Sequence, residues 1–275
     1  WNFICRCSSN SYSNFSEMSE GKKEILLGDC LELMKDIPDK SIDAIICDLP
    51  YGVLNKGNVN AKWDSVIPFI PLWEQYERII KDNGAIILFG QGMFSAELMI
   101  SNKKLWRYNL IWKKGNRISG FLNSKRQPLR NHEDILVFSK RQTVYNPQMT
   151  IGEKNHKKGG GNHKNTQRCY GKLIDTPTIL TNEKYPISIL DFDREHPPIH
   201  PTQKPVKLLE YLIKTYTNEN DLVLDNAAGS GTTAIACLNT NRQFIVMEKE
   251  QKYYDIILKR VEDFSKQLTL FKNEV

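Results

Sequence analysis

Residues 223–233 read Val-Leu-Asp-Asn-Ala-Ala-Gly-Ser-Gly-Thr-Thr, an apolar strand that runs into a glycine-containing turn and then into a helix. Glycines in such a turn let the backbone approach a ligand closely, and the following helix presents free N–H groups. Ligands of open α/β sheets bind at this edge, outside the carboxyl ends of the strands. No lysine follows the second glycine, so a phosphate-binding P-loop is disfavoured. The pattern by itself leaves open a ligand site and a purely structural strand–helix turn.

One strand later, an acidic residue stands at the equivalent place. Glu248 directly follows the apolar segment at residues 243–247. A carboxylate at the end of such a strand can accept hydrogen bonds from both hydroxyls of a ribose. The glycine turn and the acid together indicate a nucleoside cofactor.

Strands and helices alternate along most of the remaining chain. This alternation implies an α/β fold with a mainly parallel, doubly wound sheet, and two strands with stronger alternation predict a partly antiparallel far side. The predicted strands are residues 24–27, 42–47, 85–89, 105–113, 134–139, 222–224 and 243–247. The predicted helices are residues 31–37, 72–80 with a stop signal at Asn83-Gly84, 203–216, 231–238 and 251–264.

Two segments depart from this alternation. Residues 1–21 begin with a stretch rich in Ser and Asn, without periodicity, and predict a disordered tail in which Met18 is a candidate start. Residues 141–195 contain a Lys-Lys-Gly-Gly-Gly-Asn run and little periodicity, which predicts an insertion or a small subdomain with mobile loops.

A second candidate site follows the buried strand at residues 42–47. The sequence there is Asp48-Leu49-Pro50-Tyr51-Gly52. The lone pair of an aromatic amine is delocalised into its ring, so the amine is a poor nucleophile. A carboxylate and a backbone carbonyl that both accept hydrogen bonds from the NH₂ group orient the nitrogen and concentrate its lone pair. A plain strand–turn with an aspartate cap is the alternative interpretation.

These residues resemble the motifs of a known enzyme family. Asp48-Leu49-Pro50-Tyr51 is similar to the [DNS]-P-P-[YFW] signature of amino-methyltransferases, and residues 225–233 are similar to their motif for S-adenosylmethionine (SAM). The catalytic motif precedes the SAM motif, as in the β class of DNA amino-methyltransferases. The resemblance covers residues 23–261 apart from the insertion. It implies a class I SAM-dependent methyltransferase fold, Rossmann-like, in permuted motif order, with a target-recognition insertion at residues 141–195 between a catalytic half (22–140) and a SAM-binding half (196–275).

The resemblance also implies roles for individual residues. Asp48 and the Leu49 carbonyl would orient the target amine, Pro50 would fix the turn, and Tyr51 would stack on a base extruded from the duplex. An aspartate in the first motif position usually accompanies adenine N6 methylation in this family, and a serine accompanies cytosine N4. Residues 132–138 resemble a strand whose preceding loop borders the target base. The implied SAM contacts are Asp29, Cys30, His200, Thr202, Lys204, Asp225, Ala227, Gly229, Gly231, Thr232 and Glu248, with Thr202 and Lys204 near the methionine carboxylate.

Basic residues cluster before the strand at residues 132–138, which borders the proposed base pocket. The aromatic residues Trp112 and Phe121 are interleaved with them. We expect this run to contact DNA phosphates, although a solvated face is the default interpretation of such a run. A basic loop within the insertion could become ordered on DNA. The candidate DNA-binding residues are Lys113, Lys114, Arg117, Lys125, Arg126, Arg130, Lys157 and Lys158.

Two departures from the family pattern leave alternatives open. Leu49 replaces a proline, and Asn226-Ala227 replaces a Pro-Phe pair beside the cofactor. Cytosine N4 methylation is the second enzymatic prediction. A catalytically silent, SAM-binding DNA-recognition protein is a third, supported by Leu49 alone.

Composition sets broad limits on the remaining possibilities. The 275 residues carry a formal net charge of +6 with a pI of about 8.9, which suits a polyanionic partner such as double-stranded DNA. No apolar run could span a bilayer, no signal-peptide pattern is present, and the six cysteines form no disulfide framework, so a cytoplasmic protein is expected. No metal site is predicted, because the cysteines lack ligand spacing and His196 and His200 flank two prolines. A homodimer and a cognate restriction endonuclease are further possible partners.

Overall fold

In the computed structural model, the described residues are 4–7, 22–54, 64–115, 118–153, 182–197, 199 and 202–273. Within this part of the chain, nine strands form one sheet: β1 (Ile4–Cys7), β2 (Lys23–Leu27), β3 (Ile42–Cys47), β4 (Ile80–Gly90), β5 (Trp106–Lys113), β6 (His132–Phe138), β9 (Ile189–Asp191), β10 (Leu222–Asp225) and β11 (Gln243–Glu248). Their order in the sheet is β1-β2-β11-β10-β3-β4-β6-β5-β9. The pairs β4–β6 and β6–β5 are antiparallel, and every other neighbouring pair is parallel.

Helices cover both faces of this sheet. They are α1 (Cys30–Leu33), α2 (Phe69–Ile79), α3 (Met93–Ser101), α4 (Val206–Tyr216), α5 (Thr232–Asn239) and α6 (Gln251–Asn273), with short 3₁₀ turns at Met34–Asp36 and Phe121–Asn123. One core packs residues of α4, α5 and α6 on the sheet, and the other packs residues of α1, α2 and α3. The central strands are apolar on both sides because both of their faces are buried. The prediction of a doubly wound, mainly parallel α/β sheet with a partly antiparallel side is confirmed.

The end of α2 was predicted wrongly. The helix ends at Ile79, and Asn83-Gly84 lie within β4 instead of capping the helix. A Cβ at Gly84 would stand 2.7 Å from Ile80 Cδ1 and 2.8 Å from the carbonyl oxygen of Asp43. The glycine therefore permits a close approach at the point where the β3–β4 register shifts.

Neither α3 nor the two edge strands of the main sheet were predicted from the sequence. α3 lies between two predicted strands, and β1 and β9 are short strands at the two edges of the sheet. The expectation of a disordered tail is wrong for Ile4–Cys7, which pairs in parallel with β2. Strands of three or four residues carry too little periodicity to be predicted, and their pairing depends on a distant neighbour.

Residues 147–187 form a second compact unit. Its described part contains β7 (Thr150–Ile151) and β8 (Glu183–Lys184), which pair antiparallel. The unit is shorter than the predicted insertion at residues 141–195, because β9 belongs to the main sheet. Among the described residues, no helix combines the length and the apolar character that crossing a membrane requires.

Candidate active site

A cavity of about 690 Å³ opens at the carboxyl ends of β2, β3, β10 and β11. Both sequence motifs line it, although 177 positions separate Asp48 from Asp225 in the chain. His200 lies outside the described residues. The predicted catalytic and SAM-binding residues that line the cavity are Asp29, Cys30, Asp48, Leu49, Pro50, Tyr51, Thr202, Lys204, Asp225, Ala227, Gly229, Thr232 and Glu248.

Two carboxylates organise the glycine turn after β10. Asp225 Oδ1 accepts a hydrogen bond from the Ala227 N–H at 3.1 Å, and its Oδ2 accepts one from the Thr233 hydroxyl at 2.5 Å. Glu248 Oε2 accepts from the Gly229 N–H at 2.8 Å. Burial raises the pKa of Asp225 to about 6 and also raises the pKa of Glu248. The turn therefore places two buried acids beside the cavity.

Gly231, which was predicted to contact SAM, has a packing role in the glycine turn. It does not line the cavity, and its φ of +75° lies in the left-handed region. A Cβ at this position would stand 2.9 Å from two side-chain carbons of Ile257 in α6. The second glycine of the turn thus permits helix packing, whereas Gly229 faces the cavity.

Asn226 stands where the family pattern has proline, and its side chain is packed and hydrogen-bonded beside the cavity. Its side chain is buried, its Oδ1 accepts from the Tyr76 hydroxyl at 2.5 Å, and its Nδ2 donates to Cys30 Sγ at 3.4 Å. These contacts join α2, the start of α1 and the glycine turn. Asp29 caps α1 by accepting from the Leu31 N–H at 3.0 Å.

Asp48 stands at the end of β3 with both carboxylate oxygens engaged. Oδ1 accepts from the Tyr51 hydroxyl at 2.9 Å, and Oδ2 pairs with the ammonium group of Lys204. The Tyr51 ring stacks on Phe94, with ring centroids 4.6 Å apart. Leu49 is only 2% exposed, and its side chain belongs to the apolar core. The residue that replaces the family proline therefore points into the core.

Lys204 belongs to a buried network of four charges. Its Nζ pairs with Asp48 and lies 3.3 Å from Glu133 Oε2, while Lys114 Nζ lies 2.5 Å from Glu133 Oε1. The two ammonium groups balance the two carboxylates, as buried charges require. Residues 132–138 were predicted to lie near the target base, but Glu133 was not singled out, and the available signal was a pair of acids ahead of an apolar run, which does not distinguish Glu133 from Asp134.

The network shifts the ionisation of its members. Burial raises the pKa of Asp48, and Lys204 opposes that effect. Burial would lower the pKa of Lys204, but Asp48 and Glu133 hold it above its ordinary value. Burial would likewise raise the pKa of Glu133, yet Lys204 and Lys114 hold it below its ordinary value. Lys204 is consequently a permanent cation that Asp48 and Glu133 share.

Asp64 is a site residue that the sequence analysis missed. Its buried carboxylate accepts backbone N–H groups from four consecutive residues: Oδ1 from Tyr51 at 2.8 Å and Gly52 at 3.1 Å, and Oδ2 from Val53 at 2.7 Å and Leu54 at 2.5 Å. Gly52 has a φ of +69°, which turns the chain toward the carboxylate. No local pattern marks this contact, because an acid 13 positions downstream makes it.

The predicted DNA-binding residues fall into four groups. Lys125, Arg126 and Arg130 are exposed, and Arg130 also lines the cavity. Lys113 is exposed but pairs with Asp191 at 2.5 Å. Lys114 is buried and paired with Glu133, so its position does not suit a phosphate contact. Arg117, Lys157 and Lys158 lie outside the described residues.

The fold and the site define a SAM-dependent methyltransferase. In a doubly wound sheet with an antiparallel far side, the glycine turn follows β10, Glu248 ends β11, and the Asp-Leu-Pro-Tyr motif follows β3. The buried Glu248 carboxylate lines the cavity beside the glycine turn, where a carboxylate can accept hydrogen bonds from ribose hydroxyls, so the residues present are compatible with this cofactor.

Comparison with known proteins places the chain in a family. Residues 42–259 match the N6/N4 DNA methylase family, and the protein belongs to it. It is 30% identical to type II methyltransferase M.HinfI of Haemophilus influenzae, with 87% of this chain and 68% of that protein covered. It is 28% identical to type II methyltransferase M2.MboI of Moraxella bovis, with 94% of each covered.

Solved structures agree with this assignment. The M1.HpyAVI–SAM complex has a TM-score of 0.57 and 26% identity, covering 86% of this chain and 98% of that one. The cytosine-N4-specific PvuII DNA methyltransferase shares the fold, with a TM-score of 0.61 and 18% identity over 86% of this chain and 85% of that one. The protein is thus a SAM-dependent DNA methyltransferase.

Proposed function

We propose that the protein methylates N6 of adenine at a specific site in double-stranded DNA. The observation that carries this proposal is the Asp48 carboxylate, which follows β3 directly and lines the same cavity as the glycine turn. An aspartate in this motif position is the family's usual choice for adenine. The type II relatives support site-specific DNA as the substrate.

The described residues suggest how the target amine is activated. Asp48 Oδ2 accepts one hydrogen of the NH₂ group, and the Leu49 carbonyl accepts the other, so the nitrogen lone pair is directed out of the plane of the base. SAM, when bound, would supply an electrophilic methyl group to this lone pair, with its sulfur as the leaving group. The nitrogen then loses one proton, for which the Asp48 carboxylate is the adjacent acceptor.

The pairing of Lys204 with Asp48 also bears on substrate entry. The amine takes an acceptor position that the Lys204 ammonium group occupies in this structure. Because Glu133 Oε2 lies 3.3 Å from the same ammonium group, Lys204 can release Asp48 and remain paired. Glu133 and Lys114 are therefore assigned as positioning residues for Lys204.

The motif of this chain supports an active enzyme over a silent DNA-binding protein. The Leu49 side chain is buried in the core, and its role in the proposed mechanism uses the backbone carbonyl only. Pro50 disfavours the helical conformation at Leu49 and so keeps that carbonyl consistently directed. A proline at position 49 is not required for the hydrogen bond.

Nucleoside analysis of methylated DNA tests the proposal. Plasmid DNA incubated with the purified enzyme and SAM is digested and analysed by mass spectrometry, and we expect N6-methyladenine. N4-methylcytosine would replace the adenine assignment, and the absence of both would favour the silent protein. Asp48→Ala should lose turnover while keeping SAM affinity within about threefold by calorimetry, because the cofactor turn lies on β10; retained turnover would refute the catalytic assignment.

The proposed DNA methylation leads to further expectations about target recognition, SAM contacts, location and partners. The inserted segment at residues 141–195 would read the target sequence, and the SAM contacts would be those predicted from the motifs, except that Gly231 acts through packing. A cytoplasmic location would place the enzyme with DNA and SAM. A homodimer and a partner restriction endonuclease remain predictions, which light scattering and the neighbouring genes would test.

A further inference from the structure

The 120–129 loop, which joins β5 to β6, carries an apolar tip. Ser119 and Arg130 close the loop with two backbone hydrogen bonds, of 2.8 and 2.9 Å. Gly120, at φ +93°, turns the chain into the 3₁₀ turn Phe121–Asn123. Hydrogen bonds from the N–H groups of Asn123 to Gly120 O and of Arg126 to Asn123 O, at 2.9 and 2.8 Å, give the tip a defined backbone.

The two side chains at this tip contact little else in the protein. Leu122 is 102% exposed and Phe121 is 63% exposed. Exposing two adjacent large apolar side chains has a free-energy cost in water that burial against a partner would recover. The structure thus leaves this pair available for a partner.

The surroundings of the pair favour a polyanionic partner. Lys125 and Arg126 follow the tip and are exposed, and Arg130 closes the loop. No acidic residue occurs between Ser119 and Arg130. An apolar tip with cations on one side has the composition of side chains that enter a DNA duplex, where the cations contact phosphates and the apolar group enters the base stack.

The loop also emerges at the right place. Both residues that close it, Ser119 and Arg130, line the cavity that contains Asp48. A methyltransferase that acts on a base amine must take the base out of the duplex and into such a cavity. This step leaves a gap in the stack, next to the rim from which the loop projects.

We propose that Phe121 and Leu122 form a wedge that enters the duplex and fills the gap left by the extruded target base. The inference rests on the proposed DNA methylation and adds to it the residues that stabilise the extruded state. Phe121 and Leu122 act on the DNA stack and are positioning residues for the target base.

The test compares two DNA substrates with the same target site. The site is first located by long-read detection of modified bases in a host that expresses the enzyme. One duplex then carries the target base opposite its normal partner, and the other carries it opposite an abasic position, where extrusion costs less. For the double variant Phe121→Ala with Leu122→Ala, we expect kcat/KM on the paired duplex to fall about 10- to 100-fold, and kcat/KM on the abasic duplex to stay within about threefold of wild type.

Three control variants separate a wedge from a general loss of apolar surface or of positive charge. Ile100→Ala removes an apolar side chain on α3 that is 64% exposed and does not line the cavity, and both substrates should be unaffected. Lys125→Ala should weaken the binding of both substrates equally and reduce the salt dependence of that binding. Leu122→Met keeps an apolar wedge and should retain most of the paired-duplex activity. A 2-aminopurine reporter at the target position should brighten with wild type and stay dim with the double variant.

Each contrary result has a definite meaning. An equal loss on both substrates, or no loss on either, would overturn the wedge. A change in oligomeric state by light scattering would assign the tip to a protein contact instead. Unchanged SAM affinity of the double variant verifies its fold. Wild-type methylation of the abasic duplex tests the proposed function separately, so its failure is distinguishable from failure of the wedge.

Discussion

Removing the Asp64 carboxylate should loosen the catalytic turn without affecting the cofactor site. Asp64→Ala deprives four N–H groups of their acceptor, those of Tyr51, Gly52, Val53 and Leu54. The N–H groups of the exposed Val53 and Leu54 can turn to water, but those of Tyr51 and Gly52 are partly buried. At about 1–3 kcal/mol for each buried donor left without a partner, the free energy of unfolding should fall by about 2–6 kcal/mol.

Asp64→Asn provides a graded comparison. The amide keeps one acceptor oxygen, which can still accept from the Tyr51 and Gly52 N–H groups. The exposed N–H groups of Val53 and Leu54 lose their acceptor and donate to water instead. We therefore expect a smaller loss of stability, about 1–2 kcal/mol. Asp39→Ala is the matched control, because Asp39 is exposed and its ion pair is with Arg78, and such surface pairs contribute about 0–1 kcal/mol.

Urea unfolding and single-turnover methylation measure the two consequences. Tyr51 donates to Asp48, so a loose turn should lower the single-turnover rate about 10-fold or more in Asp64→Ala, with SAM affinity within about threefold of wild type. The reasoning would be refuted if Asp64→Ala kept both its rate and its unfolding free energy. A parallel loss of SAM affinity would show that the effect extends beyond the turn.

Three further changes test other parts of the site. Gly231→Ala should lower the free energy of unfolding by about 2–5 kcal/mol in urea titrations, because the left-handed φ and the contact with Ile257 both disfavour a Cβ; an unchanged midpoint would contradict this packing role. Asp48 must be ionised to accept the amine, so kcat/KM, which reports the free enzyme, should fall as the pH falls through its raised pKa. Lys204→Met should move this acidic limb to higher pH, because Lys204 opposes the effect of burial; a limb that stays in place would exclude the pairing as its cause. Glu248→Ala should weaken SAM binding about 10- to 100-fold by calorimetry through loss of charge-assisted bonds to the ribose, and an unchanged dissociation constant would move the ribose contact elsewhere.

The sequence by itself determined the fold class and the two motifs. Fully buried parallel strands have continuous apolar runs, and ligand sites in this architecture follow those runs directly, so Asp48, Asp225 and Glu248 could be located from local pattern alone. The departure at Leu49 was also visible in the sequence. Its consequence was not, because the burial of that side chain depends on the core around it.

Only the tertiary structure decided which charged residues pair with one another beside the cavity. Lys114 belonged to a basic run in the sequence and is buried against Glu133, and Lys204 was expected near the methionine carboxylate but pairs with Asp48. Asp64 reaches its four N–H partners across a loop. Ionic and hydrogen-bond partners of this kind are set by the spatial approach of distant segments, and local periodicity, which reports burial and backbone conformation, carries no information about them.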